Sequence, residues 1–381
     1  MAEVAQAAEV SVMTVSYTYA QPDRVSEQTR ARVREAAERL GYPGPHPGAR
    51  SLRRGRAGSL GVILGEHLTY AFEDPQAARF LAGIAEVCAG HGLGLTIVPV
   101  TGAPGDADRV AEAVVDGFVV WTTSDDDPVV DAVAATGLPA VVHGGPHRDD
   151  LSFVAVDDRA AARAVGTAAF TGARQPMVLS FPLDRARATG VHRALDPAGA
   201  SFRVTRQRLR GFRDAWVAGG GRWPQVRVAV CSRNSAQEAE RLAAELLTGP
   251  DVPDAVAAMS DELALGLIRA ADRMGLAVPG DLTVTGWDDT DAAGAAGLTT
   301  VAQSLRDQGA RCARLALGEE VDDDPVDWKV ISRDSTRRSP RRDAGHDAGD
   351  RPATGHDADG RSATGDDADG RPPAGDDFPV A

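Results

Sequence analysis

Over residues 58–336 the chain alternates short apolar runs with stretches that carry Ala, Leu and charges at helical spacing, and this pattern restricts its fold more than any other feature. The apolar runs are residues 60–64 (LGVIL), 95–100 (LTIVPV), 117–121 (GFVVW), 140–142, 177–179, 226–230, 255–258 and 282–285. Helical spacing marks residues 77–89, 106–115, 128–136, 158–169, 235–247 and 262–274. Continuous apolar runs suit strands buried on both faces, and a helix between successive strands supplies the crossover that parallel pairing needs. The pattern therefore predicts an α/β body of parallel sheets covered by helices on both faces.

The flanks differ. Residues 1–42 are helical in pattern, and residues 43–57 (PGPHPGARSLRRGRA) are Pro/Gly-rich and then arginine-rich. Residues 337–381 repeat with a ten-residue period (GHDAGDRPAT, GHDADGRSAT, GDDADGRPPA) and hold almost nothing to bury, so a disordered tail is expected. The Asp-Ala-Asp-Gly pieces of the tail lack the closing Glu of a calcium loop. With 381 residues, 43% hydrophobic and 25% charged, the chain suits two or three domains with a sizeable core. The net charge of −14 hides an asymmetry: residues 1–58 total +3, residues 59–336 total −14, and the tail totals −3. A basic head on an acidic body remains compatible with DNA. Lys329 is the sole lysine; such arginine bias fits G+C-rich coding, so isolated arginines carry little functional information. Cys88, Cys231 and Cys312 form no Cys-x-x-Cys pair, and neither a metal knuckle nor a disulfide framework is expected. The N-terminus lacks the pattern of a signal peptide, and no apolar run reaches 18 residues, which predicts a cytoplasmic protein with no membrane partner.

Within the head, residues 3–8 form a short helical stretch and Ala8-Glu9-Val10 a tight turn. Ser11 is placed to N-cap a second helix over residues 12–19. Val4, Val10 and Val15 fall on one side, with Met13, Thr14, Ser16 and Tyr17 on or near the other. A third helix follows Ser26, with Val33, Ala37 and Leu40 on its core face and Gly41 at its end. Helix, turn and helix braced by a third helix form a helix-turn-helix unit, whose second helix enters the major groove in DNA-binding proteins. Packing on a neighbouring domain is the alternative use of such a unit.

Residues 4–8 (VAQAA), 10–16 (VSVMTVS), 22–30 (PDRVSEQTR), 40–42 (LGY) and 49–52 (ARSL) resemble the lactose/galactose-repressor (LacI/GalR) family of bacterial transcription regulators. The body continues the likeness in order: Gly117, Arg208-x-x-Gly211-Phe212, residues 260–266 (SDELALG), 286–289 (GWDD), 298–301 (LTTV) and 333–336 (RDST). The resemblance covers residues 2–336. It implies a homodimer bound to a double-stranded operator, with Ser11, Val12, Met13, Thr14, Ser16 and Tyr17 at the DNA. Val12, Met13 and Tyr17 would face base edges, while Thr14 and Ser16 would hold phosphates. Many family members carry Arg or Lys where this chain has Tyr17. The chain also starts almost inside its first helix, without the usual capping Thr, and Glu9 stands where a turn glycine is usual. A positive φ at Glu9 would cost on the order of 1 kcal/mol.

By the same resemblance the connector is a hinge in which residues 49–52 fold on DNA. Ala49 would contact the groove and paired Leu52 side chains would wedge a minor-groove step apart. The body would be a two-lobed, periplasmic-binding-protein-like sensor over residues 58–336. Its N-lobe would span about 58–156 and 302–319, and its C-lobe about 157–301 and 320–336, with dimer contacts from the N-lobe, residues 77–89 included. A small-molecule effector, by resemblance a sugar, would lie between the lobes at the strand ends. Arg208 would fork onto ligand oxygens, Asp261 and Asp288 would accept from hydroxyls, and Trp287 or Phe72 would stack on an apolar face. Surface charge is the rival reading of Arg208, helix capping that of Asp261, and core packing that of Phe72.

No enzyme reading competes. The chain has no G-x-S-x-G elbow, phosphate-binding G-x-x-x-x-G-K-[ST] loop or H-E-x-x-H pair. Gly90, Gly92 and Gly94 lie between helix and strand, the wrong order for a dinucleotide site. His143 and His147 flank Gly144-Gly145-Pro146, which breaks any helical metal face, and both are expected in a loop. No catalytic residue, metal or cofactor is predicted. The non-DNA alternative is a free solute-binding protein of the same two-lobed fold.

Overall fold

The computed structural model describes residues 1–44, 56–65, 69–100, 102–103, 105–249, 251–322 and 324–337. Ala49 and Leu52 of the expected hinge and residues 338–381 of the expected tail lie outside the described residues.

Three helices build the head: α1 (Ala2–Ala7), α2 (Val12–Ala20) and α3 (Glu27–Arg39). Val4, Ala5, Ala8, Val15, Val33, Ala36 and Ala37 form its core. Ser11 caps α2, its Oγ accepting from the Thr14 amide at 3.0 Å, and Ser26 caps α3 in the same way through Thr29 at 3.3 Å. Glu9 has φ 54°, the left-handed backbone that its side chain disfavours. Leu40 differs from expectation: it is 46% exposed. Helix α3 ends at Arg39, so the i+7 position of its apolar face is no longer on the helix, and Tyr42 packs against the core instead, edge-on to Tyr19 at 6.2 Å.

The body holds two five-stranded sheets. In the first, β1 (Ser59–Leu64), β2 (Gly94–Pro99), β3 (Phe118–Trp121), β4 (Ala140–His143) and β5 (Ser152–Val154) pair in the order β2-β1-β3-β4-β5, all parallel. Side chains alternate across such a sheet. Leu60, Val62 and Leu64 join the cluster under α4 (Pro75–Gly90), whereas Ile63, Phe118 and Val120 join that under α5 (Asp106–Glu112) and α6 (Pro128–Ala135).

The second sheet joins β6 (Pro176–Ser180), β7 (Gly190–Arg193), β8 (Arg227–Val230), β9 (Ala255–Ala258) and β10 (Thr283–Thr285) in the order β10-β9-β6-β8-β7. It is not wholly parallel as expected, because β7 runs antiparallel to β8. In β7 (GVHR) Val191 and Arg193 are exposed and Gly190 and His192 half-buried, so the strand carries no buried apolar run to mark it. Around this sheet lie α7 (Asp158–Phe170), α8 (Arg203–Ala218), α9 (Ala236–Thr248) and α10 (Asp261–Arg273). An antiparallel pair, β11 (Thr300–Ala302) with β12 (Lys329–Ile331), precedes and follows α11 (Leu305–Ala316). Helix α11 packs on α4 and on β3, β4 and β5 of the first sheet. Glycines set that crossing: a Cβ on Gly83 would lie 1.9 Å from the Arg306 carbonyl oxygen, and one on Gly309 would lie 2.2 Å from that of Phe80.

Candidate functional site: the recognition helix and the interlobe cavity

Helix α2 presents Val12, 48% exposed, and Met13, 62% exposed, to solvent. Exposed apolar side chains on a capped, polar helix are the type that contacts thymine methyls in a groove. Thr14 shares a hydrogen bond of 2.9 Å with Ser11, and Thr18 donates to the Thr14 carbonyl at 3.0 Å, which fixes that side of the helix. Tyr17 is half-buried, with the Arg24 guanidinium 5.7 Å from its ring centroid. A cation from the following turn thus stands over the Tyr17 ring. Ser16 lies half-buried on the same helix.

A cavity of about 140 Å³ opens between the two sheets of the body. Its apolar wall includes Trp121, Phe181 and Phe202, and its polar lining includes Asp74, Gln76, His143, Arg208 and Asp288. Links across the cleft enclose it: Asn234 donates to Asp74 at 2.6 Å, Arg187 donates to the Gly65 carbonyl at 3.1 Å, and Arg206 pairs with Asp125 at 2.6 Å. The Asp125 amide also donates to the Ser201 carbonyl at 3.0 Å.

Of the residues expected at an effector, Arg208 and Asp288 line this cavity. Arg208 is buried rather than a surface charge. Its Nε donates to Asp158 at 2.9 Å, one Nη donates to the Met259 carbonyl, and the guanidinium stacks 3.7 Å from the Trp287 ring centroid. Such a fork is held before any ligand arrives. Burial pushes the Asp158 carboxyl up, and Arg208 and then Arg203 pull it back. Burial raises the Asp288 carboxyl well above its ordinary value, against the pull of Arg208. Asp288 and Asp289 have φ 110° and 51°, a strained pair of the kind that clusters at ligand sites.

The other three stand elsewhere. Trp287 is fully buried in the second-sheet core and supports Arg208 from behind. Asp261 is also fully buried; Thr290 donates its amide to Oδ2 and Thr300 its hydroxyl to Oδ1, each at 2.7 Å. The capping role falls to Ser260, whose Oγ accepts from the Leu263 amide at 3.1 Å. Phe72 is 72% exposed and is not among the cavity-lining residues, so it is neither core nor stacking platform in this structure. Trp121, stacked on Phe80 at 4.8 Å between ring centroids, lines the cavity instead. In sequence Trp121 ends an apolar run and looks like core.

His143 corrects another expectation. His147 is an exposed loop residue, but His143 is the last residue of β4, buried and lining the cavity. Burial, then Arg208, pushes the imidazole down to about 4, so it is neutral. A hydrogen-bonded row runs from it: His143 Nε2 to Gln308 Oε1 at 2.8 Å, Gln308 Nε2 to Gln303 Oε1 at 3.2 Å, and Gln303 Nε2 to Asp288 Oδ1 at 2.8 Å. Among the described residues, His143 Nδ1 and Gln76 Nε2 have no protein partner. No group of His, Cys, Asp and Glu among them is placed to hold a metal ion, and no helix is long and apolar enough to cross a membrane.

Both the head and the body match known families. The family model for "Bacterial regulatory proteins, lacI family" matches residues 1–44, and that for "Periplasmic binding protein-like domain" matches residues 190–342. The chain is 37% identical over 339 residues to the HTH-type transcriptional regulator IpsA of Corynebacterium glutamicum, covering 87% of this chain and 93% of that one. The chain belongs to the LacI family. This LacI-family protein is a DNA-binding transcriptional regulator, not an enzyme. It is 29% identical to the regulator CelR of Thermobifida fusca, over 82% of this chain and 89% of that one. A solved LacI-family regulator from Corynebacterium glutamicum matches with a TM-score of 0.68 and 31% identity, over 88% of this chain and 98% of that one. The lac repressor dimer bound to operator shares the fold, with a TM-score of 0.67 at 24% identity, over 87% and 97% of the two chains.

Proposed function

We propose that this regulator is a repressor that binds a near-palindromic operator as a homodimer and changes its operator affinity when a small-molecule effector, a sugar, occupies the interlobe cavity. The observation that carries the reading is the buried Arg208 fork, braced by Asp158, Met259 and Trp287 and facing a cavity lined from both lobes. A solute seated there bridges both lobes and favours the closed arrangement, and a two-state body shifts population toward whichever state binds the solute better. CelR, one of the structural relatives, is solved as a complex with cellobiose. In this reading residues 1–42 are the DNA-binding head, 43–57 the hinge, 58–336 the sensor and dimerisation domain, and 337–381 a tail. Val12, Met13 and Tyr17 read bases, Thr14 and Ser16 set register on the phosphates, and Ser11 stands with them at the DNA as the cap of the same helix. Ala49 and Leu52 act in the hinge. Such a protein works where the chromosome is, in the cytoplasm.

An electrophoretic shift with the promoter of its own operon, over a salt series, tests the DNA half; absence of sequence-selective, salt-sensitive binding refutes it. Leu52→Ala is expected to lower operator affinity by tenfold or more, since it removes the wedge that opens the groove. Unchanged affinity would show that the wedge is not used.

A further inference from the structure

We propose that residues 181–202 form a lid over the cleft mouth, latched to the first lobe, and that Arg187 is its gate: solute reaches the inner cavity only when this residue lets go. The gate is independent of which solute the cavity takes.

Strands β6 and β8 pair in parallel, and α8 is the crossover that joins them. A strand and the next helix are usually linked by about 2–6 residues. Here the whole of residues 181–202 intervenes between β6 and α8. Part of it is β7, laid antiparallel on the edge of the sheet. The two arms that flank β7 leave that sheet for the opposite lobe. In the first arm, Arg185 donates to the Gly102 carbonyl at 3.3 Å and Arg187 to the Gly65 carbonyl at 3.1 Å. In the second, the Ser201 carbonyl accepts from the Asp125 amide at 3.0 Å, and Phe202 forms an isolated antiparallel bridge with Ser124. The Ser201 amide ties the arms together by donating to the Leu183 carbonyl at 2.8 Å.

Beyond Arg187 lies a second chamber of about 390 Å³, whose lining includes Thr123, Asp126, Asp127 and Arg185. Gly65, Arg187 and Phe202 line both this chamber and the inner cavity of about 140 Å³, so they are the wall between the two. Gly65 has no side chain, and Phe202 is buried with the Arg187 guanidinium 5.5 Å from its ring centroid. The movable part of the wall is therefore Arg187. It spans the cleft, its Nη2 on the Gly65 carbonyl and its Nη1 donating to the Ser232 carbonyl at 3.3 Å. Its backbone has φ 50°, a left-handed conformation that persists in such a residue only where neighbours hold it. Breaking the carbonyl bonds releases that strain, so the lid is biased to lift once the guanidinium lets go.

Access to the inner cavity reads the gate directly. Ala155 lines that cavity, and Cys88, Cys231 and Cys312 are buried. In full-length Ala155→Cys, iodoacetamide alkylates the introduced thiol at a rate that, relative to the same chain in urea, gives the fraction of time the cavity is open. The chain without the substitution supplies the background, and rates at several pH values separate access from thiol acidity. Adding Arg187→Ala, or the gentler Arg187→Gln, is expected to raise the rate about tenfold or more, since each removes charged hydrogen bonds across the cleft. Thermal unfolding verifies the variants as folded. Adding Asn234→Ala breaks a different bond between the lobes, to Asp74 and outside the lid, and is expected to raise the rate far less. A rate unchanged by both Arg187 variants overturns the gate, as does an introduced thiol that reacts as fast in the folded protein as in urea. Equal acceleration by Asn234→Ala shows the lobes parting as whole bodies and overturns the lid.

Discussion

Asp261 offers the sharpest test of the physical account, because charge, burial and hydrogen bonding act on it in calculable directions. Burial raises its carboxyl to about 6, although the Thr290 amide and the Thr300 hydroxyl both favour the ionised form. An acid with a raised folded value binds its proton more tightly when folded. Stability is therefore greatest below the unfolded value near 4 and falls as pH rises through about 6. A shift of about 2 units at ~1.4 kcal/mol each predicts a loss of roughly 3 kcal/mol across that window. Asp261→Asn is neutral throughout: its Oδ1 accepts from Thr290 and its Nδ2 donates to the Thr300 oxygen. Asp261→Ala instead strands the Thr290 amide and the Thr300 hydroxyl in a buried site, at about 1–3 kcal/mol each. Urea unfolding of the three proteins from pH 4 to 7 measures this. The Asn variant should gain about 3 kcal/mol on the wild type between the two ends, and the Ala variant should be the least stable at pH 7. A difference between Asn and wild type that does not change with pH would refute the reasoning. So would an Ala variant as stable as Asn. Asp261→Ala is also expected to lose its effector response while still binding operator, because Thr290 and Thr300 hold the segment that carries Asp288 into the cavity.

Glu9→Gly relieves the left-handed backbone at φ 54° and should stabilise the head by about 1 kcal/mol, read as slower amide exchange in residues 12–39; unchanged exchange would mean that the turn is not strained. Gly309→Ala places a methyl 2.2 Å from the Phe80 carbonyl oxygen, where only backbone movement can make room, and should cost about 1–3 kcal/mol in denaturant unfolding. An unaffected midpoint would show that the α4–α11 crossing is looser than its geometry. Val12→Ala and Met13→Ala should each weaken operator binding by about 1–3 kcal/mol without changing the melting temperature or binding to random DNA. Equal losses on operator and random DNA would place these side chains away from the bases.

Apolar runs and helical spacing marked most of the body elements, because strands buried on both faces must be apolar along their whole length. Helix α8 escaped that pattern. Its sequence RVTRQRLRGFRDAWVA is arginine-rich, yet Leu209, Phe212 and Ala215 recur every three residues and are all buried. Strands β5, β11 and β12 are three residues long and β7 four, too short for an apolar run to mark them in the sequence. Site residues divide in the same way. Arg208 and Asp288 were found through motifs, whereas Trp121, Gln76 and His143 carry no local signal of exposure to a cavity.

Periodicity, caps and the ordered motifs of the sequence determined the head, the α/β body and the family, since each depends on neighbours within a few residues or on residue order. Which polar atoms meet the cavity was decided only by the tertiary structure. Hydrogen bonds between residues 165 apart, such as His143 with Gln308, orient a side chain from another element of the fold. Burial then sets its charge. The same assembly withdrew Asp261 and Trp287 behind the wall: both carboxylate oxygens of Asp261 are already bonded, and the Trp287 indole lies in the second-sheet core with its face against Arg208.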